Sequence, residues 1–566
     1  MVRFTFKQSY DGRSHQCVIK RKDNSHPMKN LFRQIGRQVR CATINAWLVA
    51  GFLYAGLMFP AVAQDIEQPR FDIFEYQVQG VSRLSDRLIE QAVTPFLGEG
   101  KSFKDIEAAR AELEKAYHDA GYLTVTVTIP VQKVEDGLVT LAVLEVPVEK
   151  LKIANSQYHV PSVIKTEVPE LAEGNVPNFN ELQKQLTAIN RSADLKITPV
   201  LRAGAKPGSV EAELDVDDQL PLHGNIELSN RQSPNTTPMR LSGSIHYDNL
   251  FQAGHSLGLS FQLSPQKTDE VRVLSATYVI PDGTEGNSWT MYGVHSRSSL
   301  TTIFNSPGLG VLGNTDIVGA RYALVMPDFT DFSQVLSVGP DWKRVKQLVA
   351  SKAGNVETPI TYVPLVATYT GNLLDIDRPT TFNATLTLGL RGLLGNTETE
   401  FLGKRSAFGS ANYTVLRADV QHTEPLWKWK LFSKLEFQAA SGPLVNSEQF
   451  TAGGAESVRG YLEGELAGDD ALHGTIELRT PEFKPAGSTS IWSVTGLAFW
   501  DGADLRTSYA QAPQPSSQSI HSAGIGALFT APRGFSMQVY WAHAFDTAQL
   551  TKAGSNRVQA HLEWDY

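Results

Sequence analysis

The 566-residue chain has only two cysteines, Cys17 and Cys41, both close to its N-terminus. They are too few for a disulfide scaffold, and their spacing fits no metal-ligand pattern. Downstream of the N-terminus there is no continuous apolar run of about 20 residues, the length a membrane-crossing helix needs. Helical spans are excluded there, but membrane β-barrels are not, because their apolar residues alternate with polar ones. A nucleotide-binding sequence is also missing. The serines and histidines, among them His246, His473, His521 and His543, show no nucleophile elbow or other catalytic spacing. No catalytic residue, metal site or cofactor is expected.

What is present begins with a leader. Residues 1–45 are basic, an apolar core follows over 46–59, and Pro60 precedes Ala61-Val62-Ala63, an A-x-A cleavage site. The core of about 14 residues is short of a span. Residues 1–63 therefore read as a signal peptide with a long basic lead, and Met28 offers a start for a more ordinary one. The leader holds both cysteines and ten Lys/Arg against two Asp/Glu, so its removal takes the formal net charge from −8 to −16. A cysteine-free, acidic, exported chain suits the periplasm and outer membrane of a Gram-negative cell. Net acidity argues against nucleic acid as a partner.

Residues 71–149 predict the order β-α-α-β-β. A strand over 71–78 is followed by a helix carrying Leu88, Ile89, Ala92, Val93 and Phe96. Ser102 and Asp105 form a capping box ahead of a second helix with Ile106, Ala109, Leu113 and Tyr117. Leu123, Val125, Val127 and Ile129 alternate with threonines, and Asp136-Gly137 turns into a last strand over 138–146. A weaker version recurs to about residue 218, with a poorly marked first helix, a helix after Asn180 and a final strand of Val210, Ala212, Leu214 and Val216. The acidic side of that strand reads as a solvated face.

After the hinge 219–222 the register is strand, turn, strand to the end. Leu241, Gly243, Ile245 and Tyr247 face away from Arg240, Ser242, Ser244 and His246, and the same alternation runs through 257–263, 382–390, 535–541 and 558–566. A soluble sandwich would alternate too. Segments of about ten residues, a polar inner face and a terminal Trp564-Asp565-Tyr566 favour a membrane barrel. The roughly 345 residues from 222 to 566 suffice for about 16 strands.

One stretch interrupts the alternation: Gly453, Gly454 and Ser457 ahead of Val458-Arg459-Gly460-Tyr461. Its glycines mark a bend or a close approach. The tetrad resembles the signature of a loop inserted into the barrel in outer-membrane proteins that secrete or assemble other proteins. The 71–149 region, with its Ala-Gly-Tyr at 120–122 and Asp-Gly turn, resembles a POTRA (polypeptide-transport-associated) domain. Two POTRA-like modules and a barrel of this length resemble the TpsB transporters of two-partner secretion (ShlB/FhaC/HecB type), whose first hairpin also matches Asp248-Asn249-Leu250 and Gly254. The fold class expected is thus a membrane β-barrel of about 16 antiparallel strands preceded by two small α+β POTRA-like domains. The domains are 64–149, 150–221 and 222–566, with the inserted loop near 450–470.

The resemblance implies more than the spacing does. Strand parity puts Phe499 and Asp501 on one face of their strand, but leaves open whether Arg459 reaches them or lies in an exposed loop. The family pairs this arginine with the carboxylate of a Phe-x-Asp motif, here Phe499-Trp500-Asp501. It also implies that the POTRA modules bind an unfolded exported polypeptide in the periplasm, which then threads through the barrel. The implied partners are a secreted TpsA-like adhesin, cytolysin or toxin, outer-membrane lipids, and the barrel assembly machinery through Tyr566. The pore-plugging helix of some relatives has little room, since about ten ångströms of helix is all that residues 64–70 supply. The alternative is a factor that inserts other barrels into the outer membrane.

Overall fold

The computed structural model describes residues 70–283, 286–298, 302–303, 310–311, 314–327, 329, 331–351, 354–402, 409–484, 492–510 and 514–566. The expected signal peptide 1–63, with Met28, Cys17 and Cys41, and residues 64–69 lie outside the described residues. The chain forms two compact units. One takes the described residues up to Ala154 with Val168–Lys184 and Thr198–Asp215, and the other takes Asn155–Glu167, Gln185–Ile197 and Val216–Tyr566.

In the first unit come β1 (Phe71–Ile73), β2 (Glu75–Gln79), a helix Asp86–Val93, β3 (Gly98–Lys101), a helix Phe103–Asp119, β4 (Thr126–Thr128) and β5 (Leu138–Leu144). β2, β5 and β4 make a sheet, with β2 parallel and β4 antiparallel to β5. Ile89, Ala92, Val93, Ile106, Ala109, Leu113 and Tyr117 pack from the helices onto Val127, Val139 and Leu141. The helical spacing of the apolar residues is what makes this core. The Ser102 backbone N–H and hydroxyl both donate to the Asp105 carboxylate, at 2.8 and 2.7 Å.

Two strands differ from expectation. The one over 71–78 breaks at Phe74, because the Phe74 and Glu75 N–H groups both donate to the Gly137 carbonyl at 2.8 and 3.2 Å. β1 is thereby released to pair with β3. The strand over 123–129 shrinks to Thr126–Thr128, because Tyr122 N–H still bonds Tyr117 O and Val125 N–H bonds Tyr122 O. Beyond it, the Gln132 amide takes the place of a strand, accepting from Thr140 N–H and donating to Thr140 O, both at 2.7 Å.

β6 (Val148–Ala154), β7 (Leu195–Ala203) and β8 (Val210–Asp218) form a sheet in the order β6-β8-β7, with β6 parallel to β8. The two helices of this region are Pro161–Glu167 and Phe179–Ile189. The latter starts before Asn180, and its cap is the Asn178 side chain, which accepts from Asn180 and Glu181 N–H at 3.0 and 3.3 Å. Glu211 is paired with Lys152, and Glu213 with Arg202 at 2.6 Å. Cations thus answer the acidic face.

The barrel runs β9 (Leu222–Ser229), β10 (Arg240–Leu250), β11 (His255–Leu263), β12 (Val271–Asp282) and β13 (Asn287–Ser298). After a small hairpin of β14 (Thr302–Ile303) and β15 (Gly310–Val311), it continues with β16 (Asn314–Val325), β17 (Phe332–Ser351), β18 (Gly354–Tyr362), β19 (Pro364–Leu373), β20 (Thr380–Gly389), β21 (Tyr413–Leu426) and β22 (Trp429–Ala440). A second hairpin, β23 (Phe450–Ala452) and β24 (Leu466–Gly468), precedes β25 (Asp470–Arg479), β26 (Ser493–Arg506), β27 (Ser517–Ala531), β28 (Phe535–Ala544) and β29 (Asn556–Asp565). β17 pairs with both β18 and β19 in one register, so these count as a single strand interrupted at Val363 and the closed barrel has 16 strands. Pro364 brings no N–H to the ladder there. The buried Asn396 amide completes it, accepting from Val363 N–H at 2.7 Å and donating to Val363 O at 2.8 Å.

The outer wall exposes large apolar side chains such as Leu259 (51 %), Ile476 (51 %) and Ile525 (61 %). A band of this size and continuity has only lipid as a suitable neighbour. Gly224 and Tyr566 exchange backbone hydrogen bonds of 3.1 and 2.8 Å across the seam between β9 and β29. Leu228 and Leu562 are register partners there. Past the end of β9, the Asn230 amide accepts from Ala560 N–H at 2.8 Å and donates to Val558 O at 2.9 Å.

Candidate functional site

The loop 441–469 leaves β22, folds back into the barrel and returns as β25. Its short hairpin pairs Phe450 with Gly468 and Ala452 with Leu466. The bend beyond it depends on Gly453 and Gly454, at φ +106° and +111°. A Cβ on Gly453 would lie 2.5 Å from the Leu462 carbonyl oxygen, and one on Gly454 would lie 2.1 Å from a Glu463 carboxylate oxygen. The Ser457 hydroxyl accepts from Gly453 N–H at 2.9 Å, and Val458 O accepts from Gly454 N–H at 3.1 Å. These contacts close the turn that presents the tetrad.

Val458, Arg459 and Tyr461 are buried. Arg459 Nε and Nη2 donate to the two Asp501 oxygens at 2.8 and 2.7 Å, and the Arg459 backbone N–H reaches the same carboxylate at 3.1 Å. This is the planar fork-to-fork geometry that arginine forms and lysine cannot. The guanidinium carbon lies 3.6 Å from the Phe499 ring centre and 4.9 Å from that of Tyr540. Gly460 N–H donates to Gln559 Oε1 at 3.3 Å, and its own φ is +96°. The Tyr461 hydroxyl lies 3.0 Å from the carbonyls of His521 and Asp546 and accepts the Asp546 N–H at 3.0 Å.

Sequence reasoning assigned no role to Glu477. Arg459 Nη1 donates to its Oε1 at 2.6 Å, while Arg479 Nε and Nη2 hold its Oε2 at 2.9 and 2.6 Å. Arg479, Glu477, Arg459 and Asp501 therefore alternate in sign and balance in charge, as desolvated ions must. The signal was there: Leu472, Ile476 and Leu478 face out, so His473, Thr475 and Glu477 face in. Also missed was Glu465, whose buried carboxylate accepts from Leu550 N–H (2.7 Å), Thr551 N–H (2.6 Å) and the Thr551 hydroxyl (2.6 Å), tying the loop to the connection 545–555.

The histidines sit beside partners of their own: His246 at 2.9 Å from Asp248, His473 at 2.6 Å from Glu436, His521 at 2.9 Å from Asp546 and His543 at 2.9 Å from Asn556. Among the described residues, Asp194, His223 and Asp248 come close enough to share an ion. His223 Nε2 already meets an Asp194 carboxylate oxygen at 2.8 Å, a contact that occupies both groups.

A closed 16-strand barrel with a loop folded back inside it and fastened by an arginine is the arrangement that the sequence resemblance implies. The sequence pattern of the POTRA domain, ShlB-type, matches residues 71–145. That of the haemolysin secretion/activation protein ShlB/FhaC/HecB matches residues 208–528. The chain belongs to the ShlB/FhaC/HecB family, the TpsB transporters of two-partner secretion. It is similar to the outer membrane transporter CdiB of Dickeya dadantii (strain 3937), at 23% identity over 84% of this chain and 83% of the relative. The heme/hemopexin transporter protein HuxB of Haemophilus influenzae (strain 86-028NP) is 22% identical over 86% of each. Among solved structures, CdiB from Escherichia coli superposes with a TM-score of 0.59 at 16% identity, covering 90% of this chain and 93% of that one. BamA from Haemophilus ducreyi lacking POTRA domains 1–3 gives 0.53 at 15% identity, covering 88% and 100%. The family places the barrel in the outer membrane and the POTRA domain in the periplasm, with secreted TpsA-like exoproteins as partners. Its members are transporters, not enzymes.

Proposed function

We propose that this protein binds an unfolded exported polypeptide in the periplasm and secretes it through the barrel lumen. Residues 71–145 and a second POTRA module over about 150–221 take the client by strand addition. The β2-β5-β4 sheet ends in edges that suit this mode. Two modules in tandem raise the client's effective concentration at the pore. The tetrad loop, held by Gly453, Gly454 and Ser457 and fastened through Arg459 to Asp501 over Phe499, closes the lumen until the client displaces it. Folding outside draws the chain onward. The name of one relative, the heme/hemopexin transporter protein HuxB, favours a heme-binding exoprotein as client. Trp564-Asp565-Tyr566 is the segment that barrel assembly machinery would read.

The observation that favours secretion over insertion of other barrels is the seam. Passing a client sideways into the membrane would require the first and last strands to part. Here they are joined by the β9–β29 ladder and extended past its end by Asn230. The test is a disulfide between Leu228→Cys and Leu562→Cys, clean because the predicted mature chain has no other cysteine. Secretion of a candidate client into the medium continues with the seam cross-linked if the route is the lumen. Its arrest, with the folded barrel still present at wild-type level, would move the route to the seam and support the assembly reading.

A further inference from the structure

The loop has a second attachment, on another part of the wall and ahead of the tetrad in the chain. Before β23 the chain makes one short helical turn, Asn446–Glu448. Glu448 is 3 % exposed. Its Oε1 accepts from Lys343 Nζ at 2.7 Å and from the Tyr362 hydroxyl at 2.6 Å. Tyr362 also lies 2.8 Å from the Ser447 hydroxyl. The Glu448 carbonyl accepts from Arg417 Nη2 at 2.8 Å and Gln438 Nε2 at 3.3 Å. Val345, Ile360, Phe401, Leu444 and Val445 pack in an apolar cluster with Tyr362, which keeps water from the ion pair. On the returning side, Asp469 accepts from Leu444 N–H at 3.1 Å and Gln449 Nε2 at 3.0 Å, so both ends of the loop are joined at this level.

We propose that Glu448 is a second anchor of the inserted loop. It is a positioning residue that fixes the loop's root to β17 and β18, independently of the Arg459 contact with β25 and β26. The two attachments share no side chain. Charges buried this deeply hold their partners because a lone ion has nowhere to go. Arg459 and Glu448 therefore secure tip and root separately, and releasing the tip alone leaves the root where it is. The inference rests on the reading of this loop as the closure of the pore.

The experiment is conductance of the purified full-length protein in planar bilayers, without client, for wild type, Arg459→Ala, Glu448→Gln and the double variant. Each single variant raises the open fraction by roughly tenfold or more, and the double approaches the product of the two, because independent contacts add in free energy. Glu448→Gln at wild-type conductance overturns the proposal, as does a double variant no more open than Arg459→Ala. The charge swap Lys343→Glu with Glu448→Lys recovers most of the closure, which a merely structural role would not. Heat-modifiable migration of the barrel confirms folding. If Glu448→Gln does not fold, Tyr362→Phe and Lys343→Met test the same anchor with Glu448 in place. Client secretion is scored separately, so that open variants with no client dependence would overturn the secretion reading and leave the anchor standing.

Discussion

Glu477 and Phe499 are register partners across β25 and β26, so a carboxylate and a ring face meet the same Arg459 guanidinium. With Asp501 two residues further along β26, the cation is held on several sides. Removing the guanidinium leaves Asp501 a buried carboxylate without its ion partner, with Glu477 still held by Arg479, a loss of about 3–5 kcal/mol where the pair is fully buried. Arg459→Ala is expected to open the lumen without client and, because the freed tip then lies loose in the client's path, to cut client secretion sharply while the barrel stays in the membrane. Arg459→Lys restores little, since an ammonium cannot span both Asp501 oxygens. Secretion into the medium, normalised to folded barrel, is the measurement.

The turn glycines give a second expectation. Gly454→Ala demands a left-handed alanine whose Cβ meets the Glu463 carboxylate, a strain of about 1–3 kcal/mol before any clash is counted. The tip should lift from Asp501, seen as new protease cleavage within 450–466 in intact cells. Unchanged protection would show that the backbone relaxes elsewhere.

Asn230→Ala removes two amide hydrogen bonds that extend the seam beyond β9, worth about 1 kcal/mol each. The temperature at which the barrel loses its compact gel mobility should fall by several degrees, with secretion at ordinary temperature retained. A seam insensitive to this change would mean that Gly224 and Tyr566 suffice.

In the POTRA domain, hydrogen bonds from the Ser102 backbone N–H and hydroxyl hold the Asp105 carboxyl below its usual pKa. A carboxylate with a depressed folded value stabilises at pH above its unfolded pKa of about 3.9 and loses that contribution as pH falls through the folded value. Protection from hydrogen exchange at the start of helix Phe103–Asp119, taken relative to the intrinsic rate at each pH, should therefore fall below about pH 4. Asp105→Asn should show the faster exchange already at neutral pH, with a flatter acid dependence.

At the end of β8 the Asp218 carboxylate is largely buried, which opposes ionisation, but N–H groups of Tyr158, Gln157 and His159 point at it and outweigh that effect. Its pKa is lowered, so this contact too is present at neutral pH and lost in acid. Asp218→Asn would loosen the 157–159 loop at every pH, read by the same exchange experiment.

The sequence by itself determined what depends on neighbours two or four residues away. Period-two alternation separated Leu241 and Ile245 from Arg240 and His246 and put Phe499 and Asp501 on one face of their strand, and helical spacing marked Ile106, Leu113 and Tyr117 as core. The tetrad and its glycines marked the bend, and the family pattern named Asp501. Only the tertiary structure decided which inward groups meet. Glu477 faces in by parity, yet its meeting with Arg459 required the loop to fold back to the right depth. Lys343 and Glu448 are more than a hundred residues apart and carry no joint signal. The side-chain amides of Gln132, Asn230 and Asn396 look like ordinary polar loop residues until the ladder they complete is in place. The physical reason is that strand periodicity is set by the local chain, whereas closure of a barrel and the path of a loop within it are set by register summed over all its strands.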